Sequence, residues 1–195
     1  DGADGLLIVT PYYNKATQGG LVKHYSQIAD STKLPIIMYN VPGRTNLNIA
    51  PETYARLCKI PNINAVKECN LTQIPEIAKL CGDELNFYSG EDGLVQYLMS
   101  AGGLGVISVL SNIAPRLTHD IAQLALDGNI KASRDLQLEY IDLCNALFCD
   151  VNPIPVKEAL CLMGKNVGRC RMPLSPINEK NKAILVKALK NHNLI

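Results

Sequence analysis

Five short apolar runs alternate with segments of helical spacing, and after the fifth run the alternation stops. The runs cover residues 6–10 (LLIVT), 34–40 (LPIIMYN), 63–68 (INAVKE), 85–89 (LNFYS) and 105–109 (GVISV). The segments between them, residues 21–29, 51–58, 74–80 and 93–100, carry apolar positions at helical intervals, with Pro51 and Pro75 where a first helical turn accepts proline. Strand and helix in strict alternation imply a parallel sheet covered by helices. The runs are apolar on both faces, as buried parallel strands are. Beyond Val109 only helical patterns follow: residues 114–126, 130–147, 155–163 and 179–191, the last opened by Asn178 as a cap.

An open sheet of five strands would satisfy this order. The chain, however, starts with the loop DGADG directly before a strand, with no element ahead of it. Eight such units close a barrel of about 250 residues. The expected fold is therefore α/β, the last five strands of a (β/α)8 TIM barrel whose N-terminal third is not in this sequence, followed by a C-terminal helical extension. Residues 1–112 would form the barrel part. Residues 113–195 would form a barrel-closing helix and a helical domain.

The composition is that of a globular chain large enough for a real core, with 195 residues of which 47% are hydrophobic and 19% charged. A net charge of +1 suggests neither a nucleic-acid nor a membrane surface. No apolar run approaches the roughly 20 residues that span a bilayer. The seven cysteines form no CxxC pair and no metal-ligand spacing with histidine, so reduced thiols in a cytoplasmic protein and no metal site are expected. His24, His119 and His192 are scattered, and surface or packing roles account for them.

In a barrel of this kind chemistry sits at the C-terminal ends of the strands. Those ends carry TPYYN, YNVPGRT, KE, SGED and IS. Lys67 is the least ordinary of them, because apolar residues lead up to it and lysine is rarely buried without a partner. A dry pocket disfavours the ammonium, and the neutral amine is a nucleophile that forms Schiff bases with carbonyls. Tyr39, at the end of the adjacent strand, is placed to shuttle protons. Arg44 offers a fork that grips a substrate carboxylate. The residues alone leave a structural ion pair as the more ordinary reading of Lys67.

Taken in order, TPYYN, YNVPGRT, VKE, SGED, GVIS and NPIPVK resemble the dihydrodipicolinate synthase family, within the pyruvate-dependent class I aldolases. The resemblance runs from Asp1 almost to the C-terminus, and YNVPGRT is its most telling element. It implies a lyase of lysine and diaminopimelate biosynthesis that condenses pyruvate with L-aspartate 4-semialdehyde. It further implies no cofactor beyond a covalent Schiff base of pyruvate on Lys67. Tyr39 would be the proton shuttle, and Tyr13 would complete a hydroxyl relay by reaching into a partner subunit's site. Arg44 would hold the semialdehyde carboxylate, while Gly90 and Ile107 would give main-chain contacts to substrate. Tyr12 would pack at an interface near a site where lysine inhibits some members. A homotetramer, built as a dimer of dimers, is the implied assembly. Sibling aldolases acting on sialic or keto-deoxy sugar acids share the lysine and tyrosine but usually lack an arginine placed like Arg44. An inactive paralogue is the non-enzymatic alternative.

Two departures from the family pattern stand out. Its relay threonine lies in a Gly-Thr-Thr-Gly-Glu loop that nothing here matches, so the chain by itself is not expected to be competent. The stretch after the lysine, Lys67-Glu68-Cys69-Asn70, is two residues shorter than the usual Lys-Glu-Ala-Ser/Thr-Gly-Asn. Cys69 therefore falls beside the site, where a small buried filler is the expected role.

Overall fold

The computed structural model describes residues 2–195. Five strands, β1 (Leu6–Val9), β2 (Ile36–Asn40), β3 (Ile63–Glu68), β4 (Asn86–Ser89) and β5 (Gly105–Val106), pair in parallel in the order of the sequence. A sheet that never reverses its order is a barrel wall, since a doubly wound sheet turns back at a switch point. The chain thus holds five consecutive strands of a (β/α)8 barrel. The helices between them are α1 (Gln18–Asp30), the short α2 (Pro42–Thr45), α3 (Pro51–Leu57), α4 (Ile74–Cys81) and α5 (Val95–Ser100).

The helix starts follow from local chemistry. Thr17 caps α1 by accepting from the Gly20 N–H at 3.2 Å. Pro51 and Pro75 stand in the first turns of α3 and α4, where a missing N–H costs nothing. Leu21, Tyr25 and Ala29 repeat every four residues and bury one face of α1. The Tyr25 hydroxyl, carried into the core on that face, donates to Ile8 O at 3.0 Å.

The chain folds as two compact units, Asp1–Glu91 with Tyr97–Ile107, and Asp92–Gln96 with Ser108–Ile195. The core of the first joins Leu21, Tyr25, Ile36, Met38, Tyr54, Val66, Ile74 and Ile77, all fully buried. Each such aliphatic side chain contributes roughly 1.5–3 kcal/mol. The second unit is helical: α6 (Pro115–Leu126), α7 (Ile130–Glu139), α8 (Ile141–Ala146), α9 (Ile154–Leu162) and α10 (Glu179–Asn191), around Leu143, Leu147, Ala159, Leu185 and Leu189. Among the described residues no helix is long and apolar enough to cross a membrane.

Two elements differ from the sequence expectation. The fifth strand stops at Val106 rather than Val109, because the Val109 and Leu110 N–H groups turn to donate to Asp92 Oδ2 at 2.9 Å each. The helix expected over residues 130–147 is broken at Tyr140, where φ is −106° and ψ is 15°. There the Tyr140 ring stacks on His192, with centroids 4.3 Å apart, and His192 pairs with Asp142 at 2.7 Å. These tertiary contacts outweigh the helical pattern of the sequence.

The pairing of β2 with β3 contains a bulge. Ile36 faces Ile63, yet Ile37 faces Ala65, so Asn64 is an extra residue on β3. From there the register runs on to Tyr39 opposite Lys67 and Asn40 opposite Glu68.

Candidate active site

Successive strand residues face opposite sides of the sheet, and the C-terminal ends of β2, β3 and β4 use both. One row across the sheet is Tyr39, Lys67 and Tyr88, register partners in turn. The next row, Asn40, Glu68 and Ser89, is fully buried on the opposite face. Only the first row is available to a substrate.

The buried row centres on Glu68. Its Oε1 accepts from Asn40 Nδ2 at 2.7 Å and from the Asn70 N–H at 2.6 Å. Its Oε2 accepts from the Tyr54 hydroxyl at 2.7 Å and from Gln73 Nε2 at 3.0 Å. Burial raises the Glu68 carboxyl, and the four hydrogen bonds work against that rise. The same carboxylate raises the already buried Tyr54 phenol well above its ordinary value. Asn48 extends the network, accepting from Asn40 at 2.9 Å and donating to Gln73 at 2.9 Å. The Asn70 N–H turned back onto Glu68 closes the loop after Lys67.

On the open face the Lys67 ammonium lies 4.2 Å from the centroid of the Tyr39 ring, a cation–π contact. The Tyr39 hydroxyl is pushed up to about 12, first by burial and then by Cys69, with Arg44 pulling the other way. Arg44 sits in α2, which Pro42 starts and Thr45 anchors through its hydroxyl to Val41 O and Leu47 O, at 3.2 and 3.0 Å. The guanidinium is therefore exposed yet within electrostatic reach of Tyr39.

Gly90 follows β4. Its N–H donates to Glu68 O at 2.8 Å, and a Cβ there would overlap Cys69 Sγ and lie 3.4 Å from Lys67 Cε. The Ile107 N–H donates to Ser89 O at 2.9 Å. Both N–H groups are thus spent on the sheet, so a main-chain contact to substrate from either residue would run through its carbonyl. The structure brings Lys67, Tyr39, Arg44 and Gly90 together, with Ile107 on the neighbouring strand end. Tyr12 and Tyr13 stand apart from them in the segment after β1, 68% and 92% exposed, and Tyr13 takes a left-handed φ of 72°.

Two residues near the site, Glu68 and Thr10, were not singled out by their sequence pattern. Glu68 reads as a polar strand end, and nothing in its neighbours signals four hydrogen bonds. Thr10, fully buried at the end of β1, has a hydroxyl without a hydrogen-bond partner among the described residues. Cys69 is wedged in the space that Gly90 leaves, and burial followed by Glu91 pushes its thiol up to about 12. Among the described residues no group of three or more histidine, cysteine, aspartate or glutamate side chains is placed to hold a metal ion.

Comparison with known proteins bears on the family and the fold. The chain is 52% identical over 194 residues to a 4-hydroxy-tetrahydrodipicolinate synthase of Acetivibrio thermocellus, a match covering 100% of the chain and 66% of that protein. It spans about two thirds of the length of the curated relatives it matches. The crystal structure of dihydrodipicolinate synthase from Thermotoga maritima superimposes with a TM-score of 0.96 at 44% identity, covering 100% of this chain and 68% of that one. A chloride-inhibited dihydrodipicolinate synthase from Acinetobacter baumannii, solved with pyruvate, gives 0.95 at 41% identity, covering 100% and 67%. A sequence model of the Dihydrodipicolinate synthetase family matches residues 1–192. Sheet order, strand-end chemistry and sequence likeness lead to one conclusion: the chain belongs to the dihydrodipicolinate synthetase family.

Proposed function

We propose that this chain carries the Schiff-base centre of a 4-hydroxy-tetrahydrodipicolinate synthase, a lyase that condenses pyruvate with L-aspartate 4-semialdehyde. The observation that carries the reading is the pairing of Lys67 with Tyr39, amine over ring at 4.2 Å, with Arg44 in reach of the same hydroxyl. The Lys67 amine attacks the pyruvate carbonyl carbon, and loss of water leaves a ketimine. Tyr39, protonated throughout the neutral range, delivers the proton that the departing hydroxide needs. Removal of a C3 proton gives the enamine, whose carbon attacks the semialdehyde carbonyl. Arg44 grips the semialdehyde carboxylate bidentately. The amino group of the adduct then displaces Lys67 and closes the ring, which returns the free lysine.

Tyr13 projects freely from its chain, which suits a hydroxyl that serves a partner subunit. Tyr12, likewise exposed, suits an interface. A homotetramer in the cytoplasm fits this reading, as does a reaction with no cofactor beyond the lysine itself. Arg44 favours a semialdehyde over a sugar acid as the acceptor side.

Incubation of the full-length, eight-stranded protein with pyruvate and borohydride, followed by peptide mass mapping, tests the proposal. The expected result is a reduced pyruvyl adduct on Lys67, with turnover of aspartate semialdehyde and none of sialic or keto-deoxy sugar acids. An adduct elsewhere, or sugar-acid cleavage without semialdehyde turnover, would sink it.

A further inference from the structure

Asn40 and Glu68 follow Tyr39 and Lys67 directly in the chain and stand opposite each other on β2 and β3. Their side chains meet on the buried face, where Asn40 Nδ2 donates to Glu68 Oε1 at 2.7 Å. The rung below on that face, Met38 with Val66, is apolar. Apolar contact is non-directional and sets no fine register. The Asn40–Glu68 rung does, and each partner is also held from behind. Asn40 Oδ1 accepts from the Ile49 N–H at 3.1 Å, and its Nδ2 also donates to Asn48 Oδ1 at 2.9 Å. Glu68 is gripped by Asn70, Tyr54 and Gln73. A carboxylate this deep is expensive to bury, and an apolar pair of like volume would serve the core at least as well. What the hydrogen-bonded pair adds is geometry.

We propose that Asn40 and Glu68 are positioning residues of the condensation: their bond locks the two strand ends in the register that sets the Lys67 amine over Tyr39. Neither touches substrate. The inference rests on the Schiff-base reading of Lys67. Tyr39 and Lys67 share a backbone with the bonded pair, so the spacing fixed behind the sheet is the spacing in front of it. Amine and hydroxyl must serve one carbonyl carbon in turn, and a displacement of about 1 Å between such groups lowers a rate on the order of a hundredfold. A purely structural network predicts something else: lost stability, with unchanged chemistry in the molecules that remain folded.

The two readings separate in variants of the full-length, eight-stranded protein. Each is assayed without denaturant, and urea unfolding on the same sample fixes the folded fraction. Asn40→Leu removes the donor at nearly constant volume. Its kcat per folded molecule should fall about ten- to a hundredfold. Its KM for the semialdehyde should change little, because Arg44 lies outside the clamp. Asn40→Asp keeps the acceptor for Ile49 and sets two carboxylates face to face, which repel when both are ionised and share a proton when one is not. Tyr54 is the other titratable group bonded to Glu68, and burial keeps its phenol protonated at neutral and acid pH. The rate of Asn40→Asp relative to the parent should therefore be lowest near about pH 8 and recover about fivefold or more toward about pH 5.5. Asn40→Leu should show no such recovery. Tyr54→Phe removes a bond from the other oxygen of Glu68 and should keep kcat within about threefold of the parent. Parent kcat in folded Asn40→Leu overturns the proposal. So does equal slowing in Tyr54→Phe, or a slowing of Asn40→Asp that acid does not relieve. Failure of both Asn40 variants to fold marks a structural role and overturns it as well. Failure of the parent protein to form a borohydride adduct with pyruvate overturns the Lys67 reading, and the clamp's role with it.

Discussion

Tyr39 and Lys67 are register partners on adjacent parallel strands, and the ammonium of one stands 4.2 Å from the ring centroid of the other. The ring and the hydroxyl have separable effects. Tyr39→Phe keeps the ring under the amine and removes the hydroxyl. Condensation should fall about 10²–10⁴-fold, the range for loss of a general acid–base group. The borohydride adduct should still form on Lys67 at long incubation. Steady-state kinetics and adduct mapping on the same variant check both parts.

Gly90→Ala forces a Cβ onto Cys69 Sγ and to within 3.2 Å of the Glu68 carbonyl. The expected loss of stability is about 1–3 kcal/mol, as for other overpacked sites. Adding Cys69→Ala removes the sulfur and leaves only the carbonyl contact, so the double variant should recover part of the loss. Urea unfolding of the two single variants and the double variant yields the coupling between the positions, expected at about 0.5–3 kcal/mol. Additive effects would place the strain elsewhere.

Glu68→Ala strips acceptors from Asn40, Tyr54, Asn70 and Gln73 at once. The cost should be about 3–5 kcal/mol, and Glu68→Gln should cost less. The pH dependence carries its own signature. Folding raises the Glu68 carboxyl above its ordinary 4.5, so the folded state holds the proton more tightly than the unfolded chain does. Its contribution to stability is therefore fullest below 4.5 and declines as pH rises through the folded value. Unfolding measured from about pH 4 to 7 should show that decline in the parent relative to Glu68→Gln, which cannot ionise.

Asn178 caps α10 by accepting from the Asn181 N–H at 2.9 Å. Asn178→Ala should cost about 1 kcal/mol, and Asn178→Gly only a few tenths. Thermal unfolding followed by circular dichroism checks the order of the two.

Much of this was written plainly in the sequence because it depends on local chemistry. The strand and helix alternation, Pro51 and Pro75 in first turns, and Asn178 ahead of an amphipathic run each act within a few residues. Parallel strands followed from alternation alone, whereas alternation left both an open sheet and a barrel standing. What the sequence hid depends on distant partners. Nothing near Tyr140 says that His192, some fifty residues on, will break its helix. Val109 looks like strand until Asp92 claims its N–H. The polar strand ends read as one class, yet the sheet sorts them: Tyr39 and Lys67 face the open side, while Asn40, Glu68 and Ser89 are buried behind them. Side-chain alternation distinguishes these rows only when register is known, and register depends on a bulge that no residue pattern announces.

That bulge has a counting consequence. Without Asn64 as the extra residue, the pairing that starts at Ile36 and Ile63 would set Tyr39 against Val66, and Lys67 against Asn40. Because neighbouring residues point to opposite faces, a slip of one position trades the lysine for the buried glutamate. Asn64 is exposed and lies three residues before Lys67. It touches none of the chemistry, yet it decides which of two adjacent charged side chains the substrate meets. Were Asn64 to pair with Ile37 instead of standing out as the extra residue, every site residue would still be present in the chain, yet Lys67 would no longer stand beside Tyr39.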